Sequence, residues 1–228
     1  HWIMKFDGVS SPGDSEIATP MGYGKIEYAY HLMALKSGIE MMPSRLHQEG
    51  SRSHFMTKRF DRTARGGKLH MQSLGALAHF DYRQPASYSY EQAIQVIQRL
   101  GLPRKDAEQQ VLRAFLNVVG RNCDDHVKNI AFLMNRRGEW SLSPAFDVTY
   151  AWNPAGEWTS RHQMSINGKR EGVEREDLVM LDGKAGIKRA RASQMLDRVI
   201  EAVRGWPDFA GEAEVPDGRV NEIRGNQR

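Results

Sequence analysis

Asn122-Cys123-Asp124-Asp125-His126-Val127-Lys128-Asn129 is a dense polar stretch set between two apolar ones. Upstream, Val111, Ala114, Phe115, Val118 and Val119 recur at helical spacing and leave little room for a solvent face, which predicts a helix over 106–119 almost surrounded by protein. Downstream, two short apolar runs over 130–134 and 139–142 are joined across Asn135-Arg136-Arg137-Gly138, a connection of hairpin length with a glycine where a tight turn wants one. Polar residues at the junction of a buried helix and a hairpin are held by rigid elements on both sides. Such a position suits chemistry.

Working outward, 1–6 reads as a short strand and 7–24 as a mobile loop rich in Gly, Ser and Pro. Ile26, Tyr30, Met33 and Ala34 mark a helix over 25–37 that stops at Gly38. Gly22-Tyr23-Gly24 leads into that helix but lacks the rest of any phosphate-binding glycine pattern, so it is a plain turn. A strand over 53–60 is followed by a turn at Arg65-Gly66-Gly67-Lys68. Ser89-Tyr90-Glu91-Gln92 has the form of a capping box, opening a helix whose buried stripe is Ala93, Ile94, Ile97 and Leu100 and which closes at Gly101 and Pro103. A strand turn at 164–169 and an amphipathic helix over 190–203 complete the chain, with a polar, Gly-rich tail from 207 expected to be flexible. Strands and one helix come first, then helices carrying one hairpin. The expected class is therefore α+β in two lobes, 1–64 and 65–206, with 207–228 as the tail.

Of 228 residues, 32 are Lys or Arg and 28 are Asp or Glu, a formal charge of +4, too small an excess to argue for nucleic acid as the main ligand. An apolar share of 40% with 26% charged residues excludes a disordered or collagen-like chain. A lone cysteine, Cys123, excludes an internal disulfide framework and a cysteine-rich zinc site. Nothing approaches the roughly 18 apolar residues of a membrane span, so no membrane partner is expected and the location is expected to be cytoplasmic. Cys123 and Met33, Met41, Met42 and Met134 read as packing residues, and Lys184, Lys188, Arg189 and Arg191 as a solvated helix face.

Asp124 and Asn129 stand five residues apart, and Asp147 follows across the expected hairpin. Phosphoryl transfer uses such a set: one carboxylate orients the attacking hydroxyl, while an amide and a second carboxylate hold a divalent ion on the phosphates. The same chemistry wants a lysine on an early strand and a glutamate on the next helix. Lys5 and Glu27 occupy those places. Asp125 and His126 could instead belong to a metal-dependent hydrolase, although no second His-rich motif accompanies them.

Residues 122–129, Ser143-Pro144-Ala145-Phe146-Asp147-Val148-Thr149 and Lys58-Arg59-Phe60-Asp61-Arg62 together resemble the HipA-type serine/threonine kinases, toxins of bacterial toxin–antitoxin modules. Glu27-Tyr28-Ala29-Tyr30-His31-Leu32-Met33-Ala34 and Met164-Ser165-Ile166-Asn167-Gly168-Lys169 share that likeness, which spans roughly residues 1–200 and centres on the C-terminal kinase region. The resemblance implies a two-lobed protein-kinase-like fold with a truncated N-terminal lobe and a mainly helical C-terminal lobe. It implies ATP and Mg²⁺ as cofactors, Asp124 as catalytic base, and Asn129 and Asp147 as metal ligands. Lys5 would contact the ATP phosphates, Lys58, Arg59 and Phe60 would form the hinge that holds adenine, and His126, Val127, Lys128, Asn129 and Phe146 would line the nucleotide pocket. The phosphate-covering loop belongs upstream of Lys5, so a further piece of chain is expected before His1. The implied substrate is an aminoacyl-tRNA synthetase, and the implied restraint is a helix-turn-helix antitoxin through which operator DNA is met at most indirectly. Alternatives are a small-molecule phosphotransferase of the aminoglycoside kind and a catalytically idle module that needs a second chain.

Overall fold

The computed structural model describes residues 1–8 and 21–227, so the loop expected over 7–24 lies mainly outside the described residues. β1 (Trp2–Lys5) and β2 (Ser44–Glu49) flank β3 (Arg52–Lys58) in an antiparallel sheet of order β1-β3-β2. Lys5 faces Phe55 across one ladder, and Ser44 faces Thr57 across the other. Gly50, at φ 58°, turns the β2–β3 hairpin in a conformation that costs glycine nothing. β2 was not anticipated, because its sequence Ser-Arg-Leu-His-Gln-Glu is largely exposed at a sheet edge and shows no apolar alternation.

Against this sheet lies α1 (Tyr23–Lys36), burying Ile26, Ala29, Tyr30, Met33 and Ala34 as the spacing predicted. Close approach decides one residue there: a Cβ on Gly24 would fall 2.1 Å from the Ser53 carbonyl oxygen. The Gly22 N–H is taken by Asp7 Oδ1 at 2.8 Å, which ties the start of the helix to the end of β1.

A second antiparallel sheet of order β4-β5-β6 joins β4 (His70–Ser73), β5 (Ala131–Met134) and β6 (Trp140–Leu142). The expected hairpin is β5–β6; β4 is a short, mostly exposed edge whose partner is distant in sequence, and no local pattern reveals it. α2 (Leu74–Ala78) packs on β4, and α3 (Tyr90–Arg99), α4 (Arg104–Val119), α5 (Arg175–Val179), α6 (Leu181–Ala185) and α7 (Arg189–Arg204) pack on one another. The capping box at Ser89 and Gln92 is formed in full. α4 is the interior helix: Val111, Ala114, Phe115, Leu116, Val118 and Val119 are all buried, and α7 packs on it. The α7 cations behave as a solvated face, with Arg189 paired to Glu176 and Arg191 to Glu108.

The tail departs from expectation. Residues 206–226 form α8 (Trp206–Glu212) and α9 (Asp217–Asn226), and they are docked. Trp206 is fully buried, its ring 5.3 Å from that of Tyr30 and its indole N–H donating to the Val220 carbonyl at 3.1 Å. Ile223 is fully buried, and Asn226 donates to the Tyr150 hydroxyl at 2.9 Å. Local composition looked frayed because the apolar residues are sparse; what orders them is the distant face of α1. Trp206→Ala should therefore lower the free energy of unfolding by about 3–5 kcal/mol in urea titration, where a frayed tail would show no change.

Candidate functional site

Lys5 ends β1, and its ammonium donates to Glu27 Oε1 on α1 at 2.7 Å and also to Asp147 Oδ1. Burial against the sheet pushes the Glu27 carboxyl up to about 7, with Lys5 opposing and the Asp147 charge adding to the rise. For Lys5, burial draws the ammonium down, but the two carboxylates outweigh it and hold the proton more firmly than usual. The Lys5 side chain is still 44% exposed, so its charge is open to a ligand in the cleft.

Asp147 is placed by the segment before it. α4 holds that segment from one side: Asp106 Oδ2 accepts the Leu142 N–H at 3.3 Å, and the buried Arg113 guanidinium donates to the Ser143 carbonyl at 2.6 Å. From the other side, the Ala145 N–H donates to the Glu40 carbonyl at 2.8 Å, beside a parallel bridge between Met41 and Ala145. Asp147 itself sits at φ 58°, a left-handed backbone that aspartate tolerates better than most residues and that is found at functional sites.

The two adjacent aspartates have opposite environments. Asp124 leaves 48% of its side chain exposed, 3.7 Å from His126 Nε2. Burial raises its carboxyl above the ordinary value, His126 opposes, and the Asp147 and Asp125 charges add to the rise, which suits a group that must accept a proton. Asp125 is wholly enclosed. Its Oδ2 accepts from His162 Nδ1 at 2.9 Å and from the Tyr90 hydroxyl at 2.8 Å, while Oδ1 accepts the Gln163 N–H at 2.7 Å. Burial acts to lower the His162 pKa, but the Asp125 carboxylate dominates and carries it up to about 10. Spacing alone favoured Asp124 over Asp125; burial supplies an independent reason, because an enclosed carboxylate with all these donors cannot meet a substrate.

Asn129 donates its side-chain amide to the Asp124 carbonyl at 2.9 Å, which fixes the side chain and leaves Oδ1 as its acceptor. The Phe60 and Phe146 rings lie 5.4 Å apart and bring the end of β3 beside the Asp147 segment. Other expected pocket residues have partners of their own. Arg59 is engaged by Asp61 through two hydrogen bonds, at 2.8 and 2.6 Å, and Lys58 is exposed at the end of β3. Val127 is buried, with its carbonyl accepting the Gly75 N–H at 3.1 Å, and the Lys128 ammonium lies 3.4 Å above the Tyr82 ring. Among the described residues, no group of His, Cys, Asp and Glu side chains gathers closely enough to hold a metal alone. One amide and one carboxylate, from Asn129 and Asp147, suit an ion that completes its shell on phosphates.

Behind Asp147 lies a small, partly enclosed cavity of about 20 Å³ lined by Gln110, Arg113, Asn122, His126 and Asn129, among others. The Gln110 amide, Arg113 Nε and Nη1, Asn122 Oδ1 and His126 Nδ1 are buried there without protein partners among the described residues. Mixed donors and acceptors of this kind are what ordered water satisfies. Sequence reading missed Tyr90, Arg113, His162 and Gln163. Of these only Arg113 carried a signal, as the single charged residue between Val111 and Val119 in the largely apolar second half of α4.

Among the described residues no helix is long and apolar enough to cross a membrane. No curated protein matches the chain in sequence. Among solved structures it is similar to HipA of Shewanella oneidensis MR-1, determined with HipB and operator DNA, at TM-score 0.73 and 16% identity over 99% of this chain and 55% of that one. The chain thus spans about half the length of that protein. It is also similar to CtkA, a proinflammatory kinase of Helicobacter pylori, at TM-score 0.55 and 12% identity over 97% of this chain and 91% of that one. Identities so low show likeness of fold alone, a mixed α/β, kinase-like arrangement. The HipA-like C-terminal domain model matches residues 1–206, and the chain belongs to that family.

Proposed function

We propose that the protein is an ATP- and Mg²⁺-dependent serine/threonine protein kinase of the HipA toxin type. The observation that carries this reading is the Lys5 ammonium held by Glu27 beside Asp147, with Asp124 and Asn129 on the adjacent loop. In this mechanism Lys5 binds phosphate oxygens as a point charge, and Glu27 keeps its side chain extended into the cleft. Phe60 and Phe146 offer apolar ring faces for adenine. Asn129 Oδ1 and an Asp147 oxygen would hold Mg²⁺, which neutralises charge on the transferring phosphoryl group. Asp124 orients the acceptor hydroxyl and takes its proton; its raised pKa makes it a better base than a free aspartate.

The family resemblance supports an aminoacyl-tRNA synthetase as the acceptor, and thereby arrest of translation. HipA solved with HipB and operator DNA supports a small DNA-binding antitoxin as the partner of this chain. With ATP, Mg²⁺ and a synthetase, Asp124→Asn should incorporate phosphate about 10²- to 10⁴-fold more slowly than wild type at unchanged ATP affinity. Equal incorporation by both proteins would falsify the assignment of Asp124.

A pH dependence follows from Glu27. Above about 7 its carboxyl is ionised and holds Lys5; as pH falls through about 7 it takes a proton and the ion pair is lost. ATP affinity should therefore decline on acidification through that range. Because ATP titrates in the same region, the measured quantity is the difference between wild type and Glu27→Gln in calorimetric titrations from pH 8 to 6. A wild-type profile that parallels the variant would rule this role out.

A further inference from the structure

We infer that the buried Asp125–His162 pair is a positioning device for the phosphoryl transfer proposed above: it locks the loop bearing Asp124 onto the segment that follows Asp147, so that the Asp124 carboxylate faces the acceptor hydroxyl. The inference rests on the kinase reading, and it concerns residues that touch neither nucleotide nor acceptor.

Geometry carries the argument. Asp125 has no exposed side-chain surface while its neighbour Asp124 is half exposed, so one carboxylate anchors the loop and the next is thereby aimed into the cleft. The anchor is joined to separate parts of the fold. Tyr90, from α3, donates to Asp125 and accepts from Asn117 of α4 at 2.8 Å; Asn117 in turn accepts from Asn122 at 3.0 Å, at the start of the same loop. His162 and the Gln163 N–H reach Asp125 from the far end of the segment that begins at Asp147. The Gln163 carbonyl then accepts the Ala86 N–H at 3.2 Å, and Ser165 donates to the Tyr88 carbonyl at 3.0 Å. Arg170 donates to the His162 carbonyl, and Cys123 Sγ lies 3.8 Å from His162 Nε2. The segments at Ala86–Tyr88 and His162–Ser165 are thus tied to the same carboxylate that anchors the loop bearing Asp124.

A buried ion pair is a poor way to hold a fold, since apolar groups of similar volume often do as well or better. It is a good way to fix orientation, because a carboxylate that accepts from three rigidly held donors has one low-energy pose. Supporting groups of this kind set the geometry of reacting groups that they never touch, and a small misplacement is costly.

The test compares wild type, His162→Ala and His162→Asn for kcat, calorimetric ATP affinity and amide hydrogen exchange. His162→Ala should lower kcat about 10- to 100-fold with ATP affinity changed by less than about twofold. His162→Asn, whose side-chain N–H can stand where Nδ1–H stands, should recover most of the loss, which a purely structural role would not predict. Amides of 122–129 and 162–166 should exchange faster together in the alanine variant. A folded His162→Ala protein with wild-type kcat overturns the inference, as does a loss confined to ATP affinity. Should that variant not fold, Tyr90→Phe removes another donor to Asp125 while keeping the ring, and wild-type kcat there is equally fatal. If the wild-type protein transfers no phosphate, the kinase reading fails separately. The pair is then judged by exchange alone, and independent exchange of the two segments overturns it.

Discussion

A helix enclosed by protein must satisfy its polar side chains inside the fold or through trapped water, and the remainder of this site is arranged by the protein partners that α4 finds. Asp106 and Arg113 reach the Leu142 N–H and the Ser143 carbonyl, which sets the path toward Asp147. Asn117 reaches Tyr90 and Asn122, which sets the path toward Asp124. Leaving any of these unpaired in the interior would cost about 1–3 kcal/mol, more for Arg113. Burial pushes the Arg113 guanidinium down to about 10, with Glu40 and Asp106 opposing, which measures how reluctantly a charge enters this core. The loops that carry Asp124 and Asp147 are therefore referenced to a common rigid axis.

The cleft on the other side of those loops is electrostatically unfinished. Glu27 and Asp147 share one ammonium, that of Lys5, and Asp124 adds a third carboxylate that feels the Asp147 charge. The raised pKa values of Glu27 and Asp124 express that excess together with burial. Such an imbalance costs stability and persists where added charge, such as a divalent ion on phosphates, completes the set.

Legibility followed the range of the forces involved. The capping box at Ser89, the β5–β6 hairpin, the α1 stripe and the amphipathic α7 all rest on contacts within a few residues, and each stood out in the chain. β2 and β4 did not, because an edge strand needs only a partner's backbone and places no apolar demand on its own side chains. The tail was misread for a related reason: Trp206 and Ile223 are ordered by α1 and by each other's helices, far from their own neighbours in sequence.

At the site itself, spacing picked out Asp124, Asn129 and Asp147 as candidates, because phosphoryl transfer would use those side chains at intervals set by a loop and a hairpin. Lys5 and Glu27 could be named from their elements, but their contact at 2.7 Å is a product of the β1–β3 register and of Gly24 letting α1 approach the sheet. Sequence by itself determined the family, the residue types of the cleft and most local elements, since these depend on side-chain chemistry and short-range periodicity. Only the tertiary structure decided which of two adjacent aspartates is open and which is an anchor, because burial is the sum of distant surfaces. His162, Tyr90 and Gln163 meet Asp125 through folding alone.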